Sequence, residues 1–245
     1  MSELKNLGNH FLAALSPEDS EILGPHLAPV QLELGTCLHR QMETISQVYF
    51  VDSGVISYVV AMSDGTGVEA GMMGVNGIIG GGSALDGQLA LSEAIVQVAG
   101  SARRIETTVL KRAADRSEPL RSMLFRSEQV STALAQQVAA CNALHELEPR
   151  LARWLLMLRD LSGTDTLLLK QEFLAQMLGV QRTSVSLVAR HLQTVGLIRY
   201  RRGHIDLLDV EGLNDTACEC YATINLYYKR LIGWEAMTST ASGDH

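Results

Sequence analysis

Between Gln171 and Leu192 short hydrogen-bonding side chains and arginines alternate with apolar residues at helical spacing. Gln181, Arg182, Thr183, Ser184, Ser186 and Arg190 form the polar set. Near the N-terminal end of a helix such groups suit base edges in the major groove of DNA. There an arginine can meet guanine O6 and N7 through two hydrogen bonds. Ser184, Arg190 and the downstream Arg201 and Arg202 suit phosphate oxygens. Gln171, at the start of the preceding helix, completes the set expected to touch DNA.

Two helices that cross steeply must hold that set in place. Ala175 is small where the helices nearly touch, and Gly179, four residues on, permits positive φ at the turn. Leu174, Leu178, Val180, Val185, Val188 and Leu192 supply the buried faces. The pattern predicts a helix-turn-helix whose second helix, at about 181–193, reads DNA. Leu197–Tyr200 and Ile205–Leu208, on either side of Arg201-Arg202-Gly203, predict a two-stranded basic wing.

Other chemistry has weaker support. Cys218 and Cys220 invite a metal. However, a helix predicted from about Leu213 to Leu231 would point residues two apart roughly 200° from each other. Cys220 then joins Leu213, Ala217, Ile224 and Leu231 on an inward stripe, and core packing is the expectation. His39 and His145 stand alone. No nucleophile–base pair and no phosphate loop of the Walker type is present, so neither an enzyme, a metal site nor a cofactor is expected.

Upstream, His10–Leu27 predicts a short helical entry. Val30–Glu106 then shows brief apolar runs cut by glycines about every ten residues, which predicts an antiparallel jelly roll. From Glu118 the period becomes helical, with Leu120, Leu124, Val130, Leu134, Val138 and Cys141 in one stripe. A helix of about 30 residues between two domains predicts a dimer seam, with Val130, Leu134, Val138 and Cys141 at the interface. Packing of the stripe on its own sheet is the alternative. For Cys141 a small buried apolar residue is the expectation, and the alternative is a pair of copies across that seam that responds to oxidation. The fold class is α+β: a β-roll sensory domain at 10–117, a dimerisation helix at 118–147 and a winged helix-turn-helix with an extra C-terminal helix at 148–235.

The bulk properties agree. In 245 residues, 47% apolar and 19% charged, there is material for a packed core, and no apolar run is long enough to span a membrane. Four scattered cysteines and a polar start predict a reduced, cytoplasmic protein. The net charge of −7 conceals a polarity: Arg150–His204 carries nine positive residues against three carboxylates, a net +6, leaving −13 elsewhere. A basic segment on an acidic body suits a phosphate-binding module.

Leu34-Gly35, Val48-Tyr49-Phe50 through Ser53-Gly54, Arg150–Leu156, the helix-turn-helix and Gly196-Leu197-Ile198 together resemble the Crp/Fnr superfamily of bacterial regulators. The resemblance implies a cyclic-nucleotide-binding-like domain, a dimer helix and a winged helix-turn-helix. Its implied partners are double-stranded DNA with a pseudo-palindromic operator, a second copy of the chain, and RNA polymerase, but no membrane. Arg182 matches the family's first base-reading arginine, whereas Thr183 and Leu187 stand where glutamate and a second arginine are usual. The stretch equivalent to the family's phosphate pocket, Gly80–Glu93, has no lysine or arginine and two acids. A cyclic nucleotide is therefore not the expected effector, which stays unidentified. Cys37 is the only cysteine before residue 141, so the N-terminal iron–sulfur cluster of some members is not expected. Two rivals remain: a helix-turn-helix used for protein contacts, and a cupin-type enzyme. The latter needs a His-x-His set, and His39 is the only histidine between Val30 and Glu106.

Overall fold

The computed structural model describes residues 8–169, 171–201 and 203–236. Arg202 of the expected DNA-contacting set lies outside them. Two short helices open the chain: α1 (His10–Ala13), capped by Asn9, and α2 (Pro17–Leu23), where Ser16 Oγ accepts from Asp19 N at 3.0 Å. An antiparallel sheet follows, from strands β1 (Ala28–Leu32), β2 (Cys37–His39), β3 (Gln47–Ala61), β4 (Gly67–Met73), β5 (Ile78–Ile79) and β6 (Glu93–Glu106). The order is β1-β6-β3-β4, with β2 also paired to β6 and β5 to β3.

The long strands β3 and β6 bend where their register slips between Val51 and Ile56. Two glycines make the bend possible. Gly54 sits at φ +90°, and a Cβ on Gly100 would lie 2.2 Å from Ser53 O. Helix α3 (Thr107–Arg116), which sequence patterning did not reveal, buries Leu110, Ala113 and Ala114 beneath the sheet's entry helices.

Helix α4 (Glu118–Leu144) starts at a Ser117 cap and extends about 40 Å. The stripe expected at a dimer seam is packed within one chain. Val130, Leu134, Val138 and Cys141 are at most 4% exposed within one protomer, because α4 lies on β4 and on the C-terminal helix. A Cβ on Gly71 of β4 would meet Leu134 Cβ at 3.4 Å, so this stripe is already used inside the chain.

After an extended junction at His145 and Glu146 come α5 (Leu147–Ser162), β7 (Thr166–Leu168), α6 (Gln171–Leu178), α7 (Arg182–Thr194), β8 (Ile198–Arg201) and β9 (His204–Leu207). The wing is three-stranded, in the order β7-β9-β8, one strand more than expected. The single C-terminal helix expected from about Leu213 is instead two: α8 (Val210–Thr216) and α9 (Cys220–Ile232), broken at Ala217–Glu219. Tyr228 of α9 reaches back to donate to Met72 O at 3.2 Å. One continuous apolar core joins the sheet (Val51, Ile56, Met72) through Trp154 and Leu155 of α5 to Leu174, Val185 and Leu192 of the helix-turn-helix. Among the described residues no helix is long and apolar enough to cross a membrane.

Candidate nucleic-acid interface

Helices α6 and α7 meet over Gly179, whose φ of +64° is the turn conformation anticipated from sequence. Leu174, Ala175, Leu178, Val185, Ala189 and Leu192 are buried between them. Gln181, Arg182, Thr183 and Arg190 are exposed, with Leu187 among them at 69%. Ser184 and Ser186 are half-buried, and Ser186 Oγ lies 2.7 Å from Gln171 Oε1. That pair braces α7 against α6. Arg201 is exposed at the wing's edge.

The basic balance of this segment is less basic at its surface. Arg150 and Arg153 are interior residues of α5, at 7% and 2% exposure. Arg159 pairs with Asp165 at 2.6 Å, Arg199 with Asp206 at 3.0 Å and Arg182 with Glu172 at 2.7 Å. Arg190 and Arg201 make no ion pair among the described residues. Among the described residues Arg182, Arg190, Arg199 and Arg201 are the exposed arginines of α7 and its wing.

The motif also leans on the sheet. A Cβ on Gly179 would stand 3.1 Å from Val68 Cγ2 of β4, and Gln97 Nε2 of β6 donates to Met177 Sδ at 3.4 Å. Deeper, Trp154 Nε1 of α5 donates to Glu69 Oε1 at 3.0 Å, and Ser57 Oγ donates to Glu69 Oε2 at 2.5 Å. Burial raises the Glu69 carboxyl to about 7, against the downward pull of Ser57, Arg153 and Trp154. This polar link between β4 and α5 has no local sequence signal.

A cavity of about 670 Å³ lies between the sheet and α4, lined by Tyr58, Gly80, Gly82, Ser83, Glu128 and Ser131 among others. Gly80 takes φ +80° and leads into a turn of 3₁₀ helix at Gly81–Leu85. The Gly82 N–H is already occupied, donating to Glu128 Oε1 at 2.7 Å. Burial raises the Glu128 carboxyl above its usual range. Among the described residues no lysine or arginine lines the cavity, while Asp86 and Glu128 do. Arg103 is engaged elsewhere, with Asp52 at 3.2 Å. A carboxylate thus holds the backbone donor that a ligand phosphate would need.

Cys218 and Cys220 are buried, as the core-packing expectation has it, but they do not point apart. Because the chain breaks before α9, Cys218 and Cys220 do not diverge around one helix. Their Sγ atoms converge with Cys141 Sγ and a His145 ring nitrogen, all within 4.8 Å of one another.

Residues 149–216 match the family model of the Crp-like helix-turn-helix domain. Solved structures with the same fold include FixK2 from Bradyrhizobium japonicum, at 16% identity and TM-score 0.67, covering 78% of this chain and 98% of that one. A protein from Eubacterium rectale described as a transcriptional regulator of the Crp/Fnr family shares 18% identity at TM-score 0.66, covering 83% and 95%. A CRP-family transcriptional regulator of Thermus thermophilus shares 21% at TM-score 0.63, covering 77% and 96%. No curated protein sequence matches the chain. The chain thus carries a Crp-like helix-turn-helix at residues 149–216, within a fold shared with solved structures of Crp/Fnr-family regulators.

Proposed function

We propose that the protein is a homodimeric regulator that reads a pseudo-palindromic operator with α7, under control of an effector bound between the sheet and α4. The observation that carries this reading is the exposed polar face of α7, with Arg182 in its first turn and Arg190 one face-length further on. Arg182, Gln181 and Thr183 are placed to meet base edges, and Arg190 and Arg201 to meet phosphates. Arg202 completes the phosphate set by its sequence position. RNA polymerase is the partner through which such binding would alter transcription.

Dimerisation falls to the outward face of α4, since the inward stripe is occupied. Thr132, Ala135, Gln136, Ala139 and Ala143 are exposed there, flanked by Phe125 at 57% and Leu144 at 80%. Small side chains along a long helix let a second copy approach closely. The effector is not a cyclic nucleotide: a phosphate monoanion would enter a cavity whose charged groups are carboxylates.

Selection from a randomised duplex pool at two salt concentrations tests the reading. Enrichment of a half-site repeated with two-fold symmetry about 10 base pairs apart is expected. Binding that treats all sequences alike, or that does not weaken with salt, would remove the assignment of α7.

A further inference from the structure

We propose that Cys141, His145, Cys218 and Cys220 form a closed tetrahedral site for one zinc ion, which fastens the α4–α5 junction to the start of α9. The geometry comes first. Cys141 Sγ and Cys218 Sγ are 3.5 Å apart, and Cys220 Sγ and His145 Nδ1 are 3.6 Å apart. Tetrahedral zinc, with bonds of about 2.3 Å to sulfur and 2.0–2.1 Å to nitrogen, spaces its ligand atoms about 3.5–3.8 Å apart. The cluster has room for a single ion; a multi-iron cluster needs its cysteines much farther apart.

The surroundings are those of ligands and not of idle thiols. His145 turns Nδ1 toward the sulfurs, while its Nε2 lies 3.2 Å from Glu219 Oε1. A carboxylate on the far nitrogen fixes the ring and its tautomer, as outer partners of metal-bound histidines do. Gln137 Nε2 donates to Cys220 Sγ at 3.1 Å, a hydrogen bond that favours a thiolate. Three thiolates and one divalent ion leave a single negative charge. Buried Arg153 and Arg150 both act electrostatically on the cluster, and the Nε of each has no hydrogen-bond partner among the described residues. Binding displaces the remaining thiol protons to solvent and changes no oxidation state.

The three cysteines are at most 7% exposed, so no open coordination position faces substrate, and the ion's role is structural. Its ligands come from the last turn of α4, the junction residue and the α8–α9 break. Zinc would therefore set the angle at which the DNA-binding domain leaves α4.

Metal analysis of the full chain, purified under reducing conditions without chelator, tests the site independently of operator binding. About one zinc per chain is expected, and cobalt loading should give the absorption of a tetrahedral thiolate complex. Cys141→Ser with Cys218→Ser should abolish both, whereas Cys37→Ser should leave both unchanged. Glu219→Gln alters an exposed residue, keeps the fold, and should weaken zinc binding on the order of 10–100-fold. A folded chain that retains no zinc after exposure to an equivalent would overturn the proposal. So would zinc retained undiminished by the double variant, unaltered affinity in Glu219→Gln, or a Cys141–Cys218 disulfide in place of metal.

Discussion

Arg182 Nη1 lies 2.7 Å from Glu172 Oε1, so the guanidinium proposed to meet a base edge is held by a carboxylate of the preceding helix. Both side chains are 61% exposed, which makes the pair weak and easily exchanged for a stronger partner. Glu172→Gln should tighten DNA binding a few-fold at low salt and less at high salt. Arg182→Ala should cost about 1–3 kcal/mol per half-site and relax preference at one base pair, in both half-sites. Arg190→Ala or Arg201→Ala should weaken every sequence alike and reduce the salt slope by about one unit. Titration of labelled duplexes at several salt concentrations separates the cases. If Arg182→Ala keeps the wild-type base preference, Arg182 is a phosphate clamp.

The two faces of α4 should respond differently to substitution. Ala135→Glu with Ala139→Glu should give folded monomers, because both residues are exposed in the protomer. Leu134→Ala should instead lower protomer stability by about 2–5 kcal/mol, since Leu134 is packed on β4. Sedimentation and thermal melting read the two effects apart. A dimer of unchanged mass in the double variant would place the seam elsewhere.

Glu69 predicts an unusual pH dependence. Its folded pKa of about 7 lies above the unfolded value of 4.5. Below about pH 4.5 both states hold the proton and the group contributes no pH dependence. As pH rises toward 7 the unfolded chain releases its proton while the folded chain keeps it, so stability falls, by about 3 kcal/mol in all. Glu69→Gln should remove this slope. Denaturant titrations between about pH 5 and pH 8 check it, and equal slopes in the two proteins would contradict it.

Cyclic AMP and cyclic GMP should give no saturable heat with the chain. The Glu128 carboxylate on Gly82 N–H occupies the donor and repels the phosphate. Micromolar binding by calorimetry would show that this carboxylate swings away and that an arginine from outside the cavity takes its place.

What could be read from sequence was local. Gly179, Ala175 and the apolar positions around them fix a steep two-helix crossing within some twenty residues, so the helix-turn-helix was legible to its turn. The direction in which α4 faces was not. An amphipathic stripe records that Leu134 and Val138 are buried, and it is silent on whether the burying surface belongs to the same chain. The break before α9 was also hidden, because Ala217-Cys218-Glu219 contains neither glycine nor proline. Without that break, helical geometry puts Cys218 and Cys220 on opposite sides of a helix. Their meeting with Cys141, 77 residues from Cys218, depends on tertiary packing.

The unbroken apolar core from Val51 through Trp154 to Leu192 has a thermodynamic consequence. Eight successive residues of α5, Leu151–Leu158, are buried, and they serve the sheet and the helix-turn-helix at once. Cutting the chain at the sequence boundary near residue 148 would strip one half of these neighbours and leave the other with a wet hydrophobic wall. The sheet half and the helix-turn-helix half should therefore melt as a single cooperative unit, with one calorimetric peak whose van't Hoff and measured enthalpies agree.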